Sequence, residues 1–127
     1  MNQNTDLIRR FYAALAADHA PGALALMADD IEWTTMWQYK AAGRGPQHVA
    51  EGVLMPIMKD WRDVSFVASE FIAEGETVIS LGLFTGVHGA TGKNVEARYA
   101  HVWTVARGRI ASFRQYIDTL AVAEAGV

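Results

Sequence analysis

The chain has 127 residues, of which 51% are hydrophobic and 20% charged, and its formal net charge is −3. This length fits one domain, so we expect residues 1–127 to form a single domain. A negative balance gives no basic surface for nucleic acid, and a chain without cysteine forms no disulfides. No apolar run approaches the roughly 20 residues of a membrane helix. The first residues also lack the basic and apolar parts of a signal peptide. We therefore expect a cytoplasmic protein with no nucleic-acid or membrane partner.

Two helices are predicted in the first part of the chain. The first spans about Thr5–Ala17, with Asn4 or Thr5 as its cap. Its apolar side chains recur at helical spacing and are Leu7, Ile8, Phe11, Tyr12 and Leu15. A short second helix starts at Pro21, a favoured first-turn residue, and ends near Ala28.

A strand and a third helix follow. Alternating apolar residues predict a strand over Ile31–Tyr39, and a loop follows over Ala41–Gly45. Pro46 can open the third helix, which Pro56 should kink or shorten.

The second half changes to the period of two that is typical of strands. Four strands are predicted, at about 63–73, 77–88, 94–106 and 109–118. Gly75, the stretch 89–92 and Gly108 mark the turns between them. Helices first and an antiparallel meander last indicate an α+β fold. We expect three N-terminal helices packed on a strongly curved antiparallel sheet that forms a cone-shaped pocket.

The last two strands carry the candidate site. Side chains alternate along a strand, so His101 and Trp103 share one face, and Phe113 and Gln115 share one face of the next strand. The turn at Gly108 lies about midway between Trp103 and Phe113. We therefore expect those two residues to pair, and His101 to pair with Gln115 one step deeper.

Three segments carry a resemblance to a known family. They are Tyr12-Ala13-Ala14-Leu15, Met27-Ala28-Asp29-Asp30-Ile31-Glu32-Trp33, and Gly108-Arg109-Ile110 with Tyr116-Ile117-Asp118. With the element order, they resemble the nuclear transport factor 2-like superfamily, in its polyketide-cyclase-like (SnoaL-like) and ketosteroid-isomerase-related branch. The resemblance covers nearly the whole chain. It identifies the fold rather than the function, because the superfamily includes several kinds of enzyme and non-catalytic binders.

The resemblance also suggests roles for individual residues. Tyr12 matches the hydrogen-bonding tyrosine of the isomerases, and His101 matches the histidine of the cyclases. Trp33 stands where the isomerases have their proton-shuttling carboxylate, and Gln115 stands where the cyclases have an aspartate.

Epoxide hydrolases of this fold provide a third comparison. Their arginine, aspartate and last-strand aspartate correspond here to Gly82, Phe84 and Gln115. Each of the three activities therefore lacks its carboxylate in this chain.

The candidate catalytic residues are His101, Tyr12 and Gln115. An imidazole with a pKa near its ordinary value of about 6.5 suits acid–base work, with Tyr12 or Gln115 assisting proton movement. The alternative is a buried neutral histidine bonded to Tyr99, Gln115 or a backbone group, with Tyr12 as a core residue.

The candidate ligand-binding residues are mostly aromatic. We expect Trp33, Phe84, Tyr99 and Phe113 to line the pocket. Gly82 either clears space for a ligand or marks strand curvature or a bulge. The other histidines have no partner at ligand spacing, so we expect no metal, and no pattern calls for a cofactor.

An apolar small molecule is thus the expected partner, and two functions stay open. The first is an isomerase, cyclase or lyase that acts on a hydrophobic, ring-containing substrate. The second is a non-catalytic ligand-binding or dimerisation protein. We expect Glu32 and Asp118 to point away from the pocket, because they fall on the other strand faces.

The outer face of strand 77–88 predicts a homodimer. Ile79, Leu81, Leu83 and Val87 make this face apolar, so it needs a cover. We expect no further helix in the chain to provide one, whereas a second copy of the sheet would.

Overall fold

The computed structural model describes residues 2–127 and has the expected α+β architecture. The helices are α1 (Gln3–Ala16), α2 (Ala20–Leu24), α3 (Pro46–Val49), α4 (Met55–Asp60) and α5 (Thr119–Ala125). A π-helical turn, Ala50–Leu54, joins α3 to α4. The strands are β1 (Met27–Thr34), β2 (Trp61–Glu74), β3 (Thr77–His88), β4 (Asn94–Ala106) and β5 (Arg109–Ile117).

The five strands form one sheet in the order β1-β5-β4-β3-β2. The meander from β2 to β5 is antiparallel, as expected. The sheet is not antiparallel throughout, because β1 pairs with β5 in parallel, with Trp33 opposite Phe113. Its long strands curve around α1 and the helical segment 46–60, and the core fills the concave side.

Helix α1 begins two residues earlier than expected, because Asn2 caps it instead of Asn4 or Thr5. The side-chain oxygen of Asn2 accepts hydrogen bonds from the backbone nitrogens of Asn4 and Thr5, at 2.9 and 3.0 Å. This arrangement satisfies donors that have no partner within the helix. The buried residues of α1 include the expected Phe11 and Tyr12.

The first strand was misplaced by the sequence pattern. We expected Ile31–Tyr39, but β1 is Met27–Thr34, and helix α2 ends at Leu24 instead of near Ala28. The alternation continues past Thr34 because Trp37 and Tyr39 are buried from a loop. Burial, and not strand pairing, produced the pattern there.

The helix α5 was also missed, and it corrects the expectation that no further helix exists. Asp118 caps it by accepting a hydrogen bond from the backbone nitrogen of Ala121 at 3.1 Å. Helix α5 contributes Val122 and Ala125 to the core. Among the described residues, 2–127, no helix is long and apolar enough to cross a membrane.

Candidate functional site

The polar end of the site is one row of residues across the concave face of the sheet. Strand pairing aligns Phe71 with Ser80, Ser80 with His101, and His101 with Gln115. Trp103 lies opposite Phe113 in the adjacent row. This is the register expected from the turn at Gly108, and it brings the imidazole and the amide side by side.

A chain of hydrogen bonds runs along this row, and helix α1 supplies one member. The Tyr12 hydroxyl lies 2.8 Å from Ser80 Oγ and 2.5 Å from His101 Nδ1. The other ring nitrogen, His101 Nε2, lies 3.2 Å from Gln115 Nε2. Trp103 Nε1 donates to Ser80 Oγ at 2.8 Å. We call these five residues the polar relay. Both nitrogens of His101 are therefore engaged.

Burial sets the protonation states of the relay. Burial holds the pKa of His101 well below its ordinary value of 6.5, so the imidazole is neutral at pH 7. Burial also raises the pKa of Tyr12 above its ordinary value of 10.0, which keeps the hydroxyl protonated. Tyr99 stacks on His101, with ring centroids 3.8 Å apart, and burial raises the pKa of Tyr99 to about 12.

The relay borders a small inner cavity of about 30 Å³. Its walls come from the concave face of the sheet, from α1, from the loop after β1 and from the helical segment 46–60. The lining residues are Phe11, Tyr12, Leu15, Trp33, Thr35, Trp37, Val53, Leu54, Ile57, Phe66, His101, Phe113 and Gln115. The cavity is therefore mostly apolar and aromatic, with a few polar groups at the sheet.

A larger outer cavity of about 390 Å³ adjoins the inner one. It lies between the end of α1, the start of α2, helix α4 and the start of β2. Asp18, His19, Asp63 and Ser65 contribute the polar part of its wall. Four apolar residues line both cavities and separate them; they are Leu15, Leu54, Ile57 and Phe66.

Five of the eight candidate site residues line the inner cavity. They are the three proposed for proton movement, His101, Tyr12 and Gln115, and two of the aromatic residues, Trp33 and Phe113. Trp33 stacks on Phe113 with centroids 3.8 Å apart, because β1 and β5 are neighbours.

The other three candidates do not line either cavity. Phe84 is fully buried in the core between Trp37, Trp61 and Phe66. Tyr99 lies behind His101 as a stacking partner.

Gly82 clears space for the protein itself instead of for a ligand. A Cβ at this position would overlap the carbonyl oxygen of Val67 and the hydroxyl of Tyr99. The register of β2 shifts next to this contact, between Ala68 and Glu70. The bulge interpretation therefore describes Gly82 better than the ligand interpretation.

Sequence reasoning missed Ser80 and Trp37, which belong to the site. Ser80 is fully buried and links Tyr12 to Trp103. A small polar residue within the apolar strand Val78–Phe84 was the available signal. Trp37 was placed on a strand face, whereas it enters the cavity from a loop that Thr35 closes by donating to the Tyr39 carbonyl at 2.6 Å.

Glu32 of β1 and Asp118, which follows β5, do not line the inner cavity, as expected. Glu32 pairs at the surface with Arg44 at 3.4 Å, and Asp118 caps α5. Within the part of the chain that the structure describes, no group of His, Cys, Asp or Glu residues could hold a metal ion.

Comparison with known proteins agrees with this fold. The family model of the SnoaL-like domain matches residues 8–113. This chain belongs to the SnoaL-like domain family. A solved NTF2-like protein from Burkholderia thailandensis is 34% identical to this SnoaL-like chain, with 98% of each chain covered and a TM-score of 0.89. No curated protein matches it.

Two further solved structures share the fold at lower identity. The first is TerC, co-crystallised with polyporic acid, at 23% identity, 98% coverage of each chain and a TM-score of 0.85. The second is IdmH, a putative polyketide cyclase from Streptomyces antibioticus, at 20% identity, with 99% of this SnoaL-like chain and 100% of IdmH covered and a TM-score of 0.84.

Proposed function

We propose that this SnoaL-like domain binds a hydrophobic, ring-containing small molecule. The observation that carries the proposal is the pair of adjoining cavities. Both have mostly apolar walls, with a few polar groups at the inner end and at the rim of the outer cavity. Concave sites with mostly apolar walls and few convergent polar groups are typical of small-molecule sites.

The volumes indicate how a ligand is held. An apolar cavity of about 150 Å³ accepts a benzene ring. The inner cavity, at about 30 Å³, is too small for a ring, whereas the outer one, at about 390 Å³, has room for a bicyclic compound. The ring body therefore belongs in the outer cavity, and one end of the ligand reaches past the four separating residues.

The relatives support a small-molecule ligand. TerC has been co-crystallised with polyporic acid, and IdmH is described as a putative polyketide cyclase. In both, the same fold is associated with small organic molecules, although the low identities do not transfer a ligand to this chain.

Two neighbouring alanines provide a matched test. Ala16 lines the outer cavity and Ala17, the residue that follows α1, does not. Both side chains are small and exposed, so Ala16→Trp should fill the cavity while Ala17→Trp adds the same ring outside it. We expect indane, 1-indanone or naphthalene to raise the melting temperature of the wild type and of Ala17→Trp, but not of Ala16→Trp. No shift with any of the three ligands, or an equal shift in both variants, would contradict the proposal.

An enzyme is the second candidate, and the polar relay favours it. Tyr12, His101 and Gln115 could move a proton at the inner end of the site, as an isomerase, cyclase or lyase requires. Because both ring nitrogens are engaged, a substrate would have to replace Gln115 at His101 Nε2. To act as a base there, His101 would have to carry its hydrogen on Nδ1.

Hydrogen exchange separates the enzyme from the binding protein. The protons next to the carbonyl of 1-indanone exchange in D2O if a base removes them, and NMR follows their loss. If His101 is catalytic, the wild type should accelerate the exchange. His101→Ala should then lower the exchange rate by a factor of roughly 10² to 10⁴ and still bind the ligand. Exchange at the uncatalysed rate in the presence of bound 1-indanone supports binding alone.

We also propose that the protein forms a homodimer through the convex face of the sheet. Strand pairing aligns Ile72, Ile79 and Val102 in one row on this face. Its exposed large hydrophobic residues include Val67, Ile72 and Tyr116. Helix α5 packs into the core and leaves these side chains exposed. A second copy related by two-fold symmetry would cover them.

A further inference from the structure

We infer that the inner cavity binds a hydrogen-bond-accepting oxygen of the ligand, a carbonyl or enolate oxygen, through the N–H groups of Trp33, Trp37 and Gln115. The inference rests on the proposed binding function and narrows its ligand class to ring compounds that carry such an oxygen at one end. Trp37 and the donor role of all three residues are new assignments.

Three residues of the cavity wall have buried polar atoms that lack a partner. Within residues 2–127, the indole nitrogens of Trp33 and Trp37 and the side-chain oxygen of Gln115 make no hydrogen bond. All three residues line the inner cavity. A fourth unpaired atom, the Tyr99 hydroxyl, belongs to a residue that does not line the cavity. Buried polar groups in folded proteins are nearly always paired, so three unpaired ones from residues around a single cavity indicate a missing partner.

The hydrogen-bonding pattern of the relay decides how the Gln115 amide is oriented. If Gln115 Nε2 donates to His101, then His101 donates from Nδ1 to Tyr12, and Tyr12 donates to Ser80. Ser80 Oγ would then accept from both Tyr12 and Trp103. Its own hydrogen would have no acceptor among the described residues.

Reversing the side-chain amide of Gln115 gives the Ser80 hydroxyl hydrogen an acceptor. Trp103 then donates to Ser80, Ser80 to Tyr12, Tyr12 to His101 Nδ1, and His101 Nε2 to the oxygen of Gln115. Every hydroxyl donates once, and His101 is a neutral tautomer, as its burial requires. The two ends of an amide have the same shape, so hydrogen bonding determines their assignment. In this orientation the NH₂ group of Gln115 takes the unpartnered position.

With the reversed amide, the unpartnered groups of the inner cavity are all donors. The indoles of Trp33 and Trp37 only donate, and the Gln115 NH₂ group donates as well. Among the described residues, the lining includes no Asp, Glu, Lys or Arg. Thr35 already donates to a backbone carbonyl. Such a set of donors suits an oxygen acceptor and disfavours a ligand group that can only donate.

The cavity volume agrees with a single oxygen. About 30 Å³ holds a group of the size of a water molecule and excludes a ring. A carbonyl oxygen can therefore enter the inner cavity while its ring stays in the outer one.

A matched pair of ligands tests the inference. Indane and 1-indanone share a bicyclic skeleton, and only 1-indanone carries a carbonyl oxygen. Trp33→Phe and Trp37→Phe remove an N–H group and keep an aromatic ring. We expect each variant to bind 1-indanone roughly two- to tenfold more weakly than the wild type and to bind indane with unchanged affinity. Trp61→Phe is the control, because its N–H donates to Tyr39 and its side chain lines neither cavity. It should change neither affinity.

NMR of 15N-labelled protein provides a second measurement that does not depend on the variants' stability. We expect 1-indanone to move the indole N–H signals of Trp33 and Trp37 and the Gln115 side-chain signals downfield, and indane not to do so. Equal losses for both ligands in the variants, or equal shifts with both ligands, would overturn the inference while leaving the binding function intact. Binding of neither ligand would overturn both.

Discussion

The buried neutral histidine should make the stability of the protein depend on pH in a way that one substitution removes. His101 is 3% exposed, and burial holds its pKa well below 6.5 in the folded state. In the unfolded chain, the imidazole takes up a proton as the pH falls below about 6.5. In the folded state, His101 takes up a proton only at much lower pH, so acid favours the unfolded state.

The size of this pH effect follows from the coupling between proton binding and folding. At and above pH 7 both states are essentially neutral at this site, so the effect is small there. Between about pH 6.5 and the folded-state pKa, the free energy of unfolding falls by about 1.4 kcal/mol for each pH unit. Lowering the pH from 8 to 5 therefore removes at most about 2 kcal/mol through His101 alone, a substantial part of the 5–15 kcal/mol typical of domains.

Urea unfolding at pH 8.0, 6.5 and 5.0, followed by tryptophan fluorescence, measures how the free energy of unfolding depends on pH. We expect His101→Gln to lose less stability than the wild type between pH 8 and pH 5, by at most about 2 kcal/mol. Other ionisable groups contribute equally to both proteins and cancel in the difference. The exposed residue His48 serves as a control, and His48→Gln should keep the wild-type dependence. If His101→Gln loses as much stability as the wild type, His101 is not buried in its neutral form.

Three other predictions follow from the described contacts. Tyr12→Phe breaks two hydrogen bonds of the polar relay and should lower the free energy of unfolding by about 1–3 kcal/mol. Tyr116→Phe, on the exposed face, is the control and should change this free energy by less than about 0.5 kcal/mol. Urea unfolding measures both. Gly82→Ala should cost about 1–3 kcal/mol through its overlap with neighbouring atoms. Gly86→Ala on the same strand, where the nearest atom is 3.5 Å away, should be close to neutral. Leu83→Lys should convert the proposed homodimer to a monomer or an aggregate in analytical ultracentrifugation, and a wild-type monomer at micromolar concentration would contradict the dimer.

The sequence predicted the meander and the central pairing well because both depend on local rules. Strand alternation and the turn at Gly108 were sufficient to place His101 opposite Gln115 and Trp103 opposite Phe113. The stripe of α1 was equally clear, because helical spacing is a property of neighbouring residues.

The errors lie where distant segments decide the outcome. Trp37 and Tyr39 alternate like strand residues but are buried from a loop, and the sequence alone does not distinguish these causes of alternation. Phe84 was expected at the cavity, but Trp37 and Phe66 enclose it in the core. The helix α5 is a different kind of miss, because Asp118 before an alanine-rich stretch is a local signal that could have been read.

The parallel pairing of β1 with β5 has a consequence for folding. Arg109 at the start of β5 donates to the carbonyl of Ala25, which is 84 residues away in sequence. Trp33 and Phe113 lie on this same pair of strands, so the cavity has no complete wall until the C-terminal strand docks. Long-range pairing of this kind forms slowly, because a large loop must close first. During synthesis Trp33, the aromatic residue of β1, therefore stays without its partner strand until nearly the whole domain has left the ribosome.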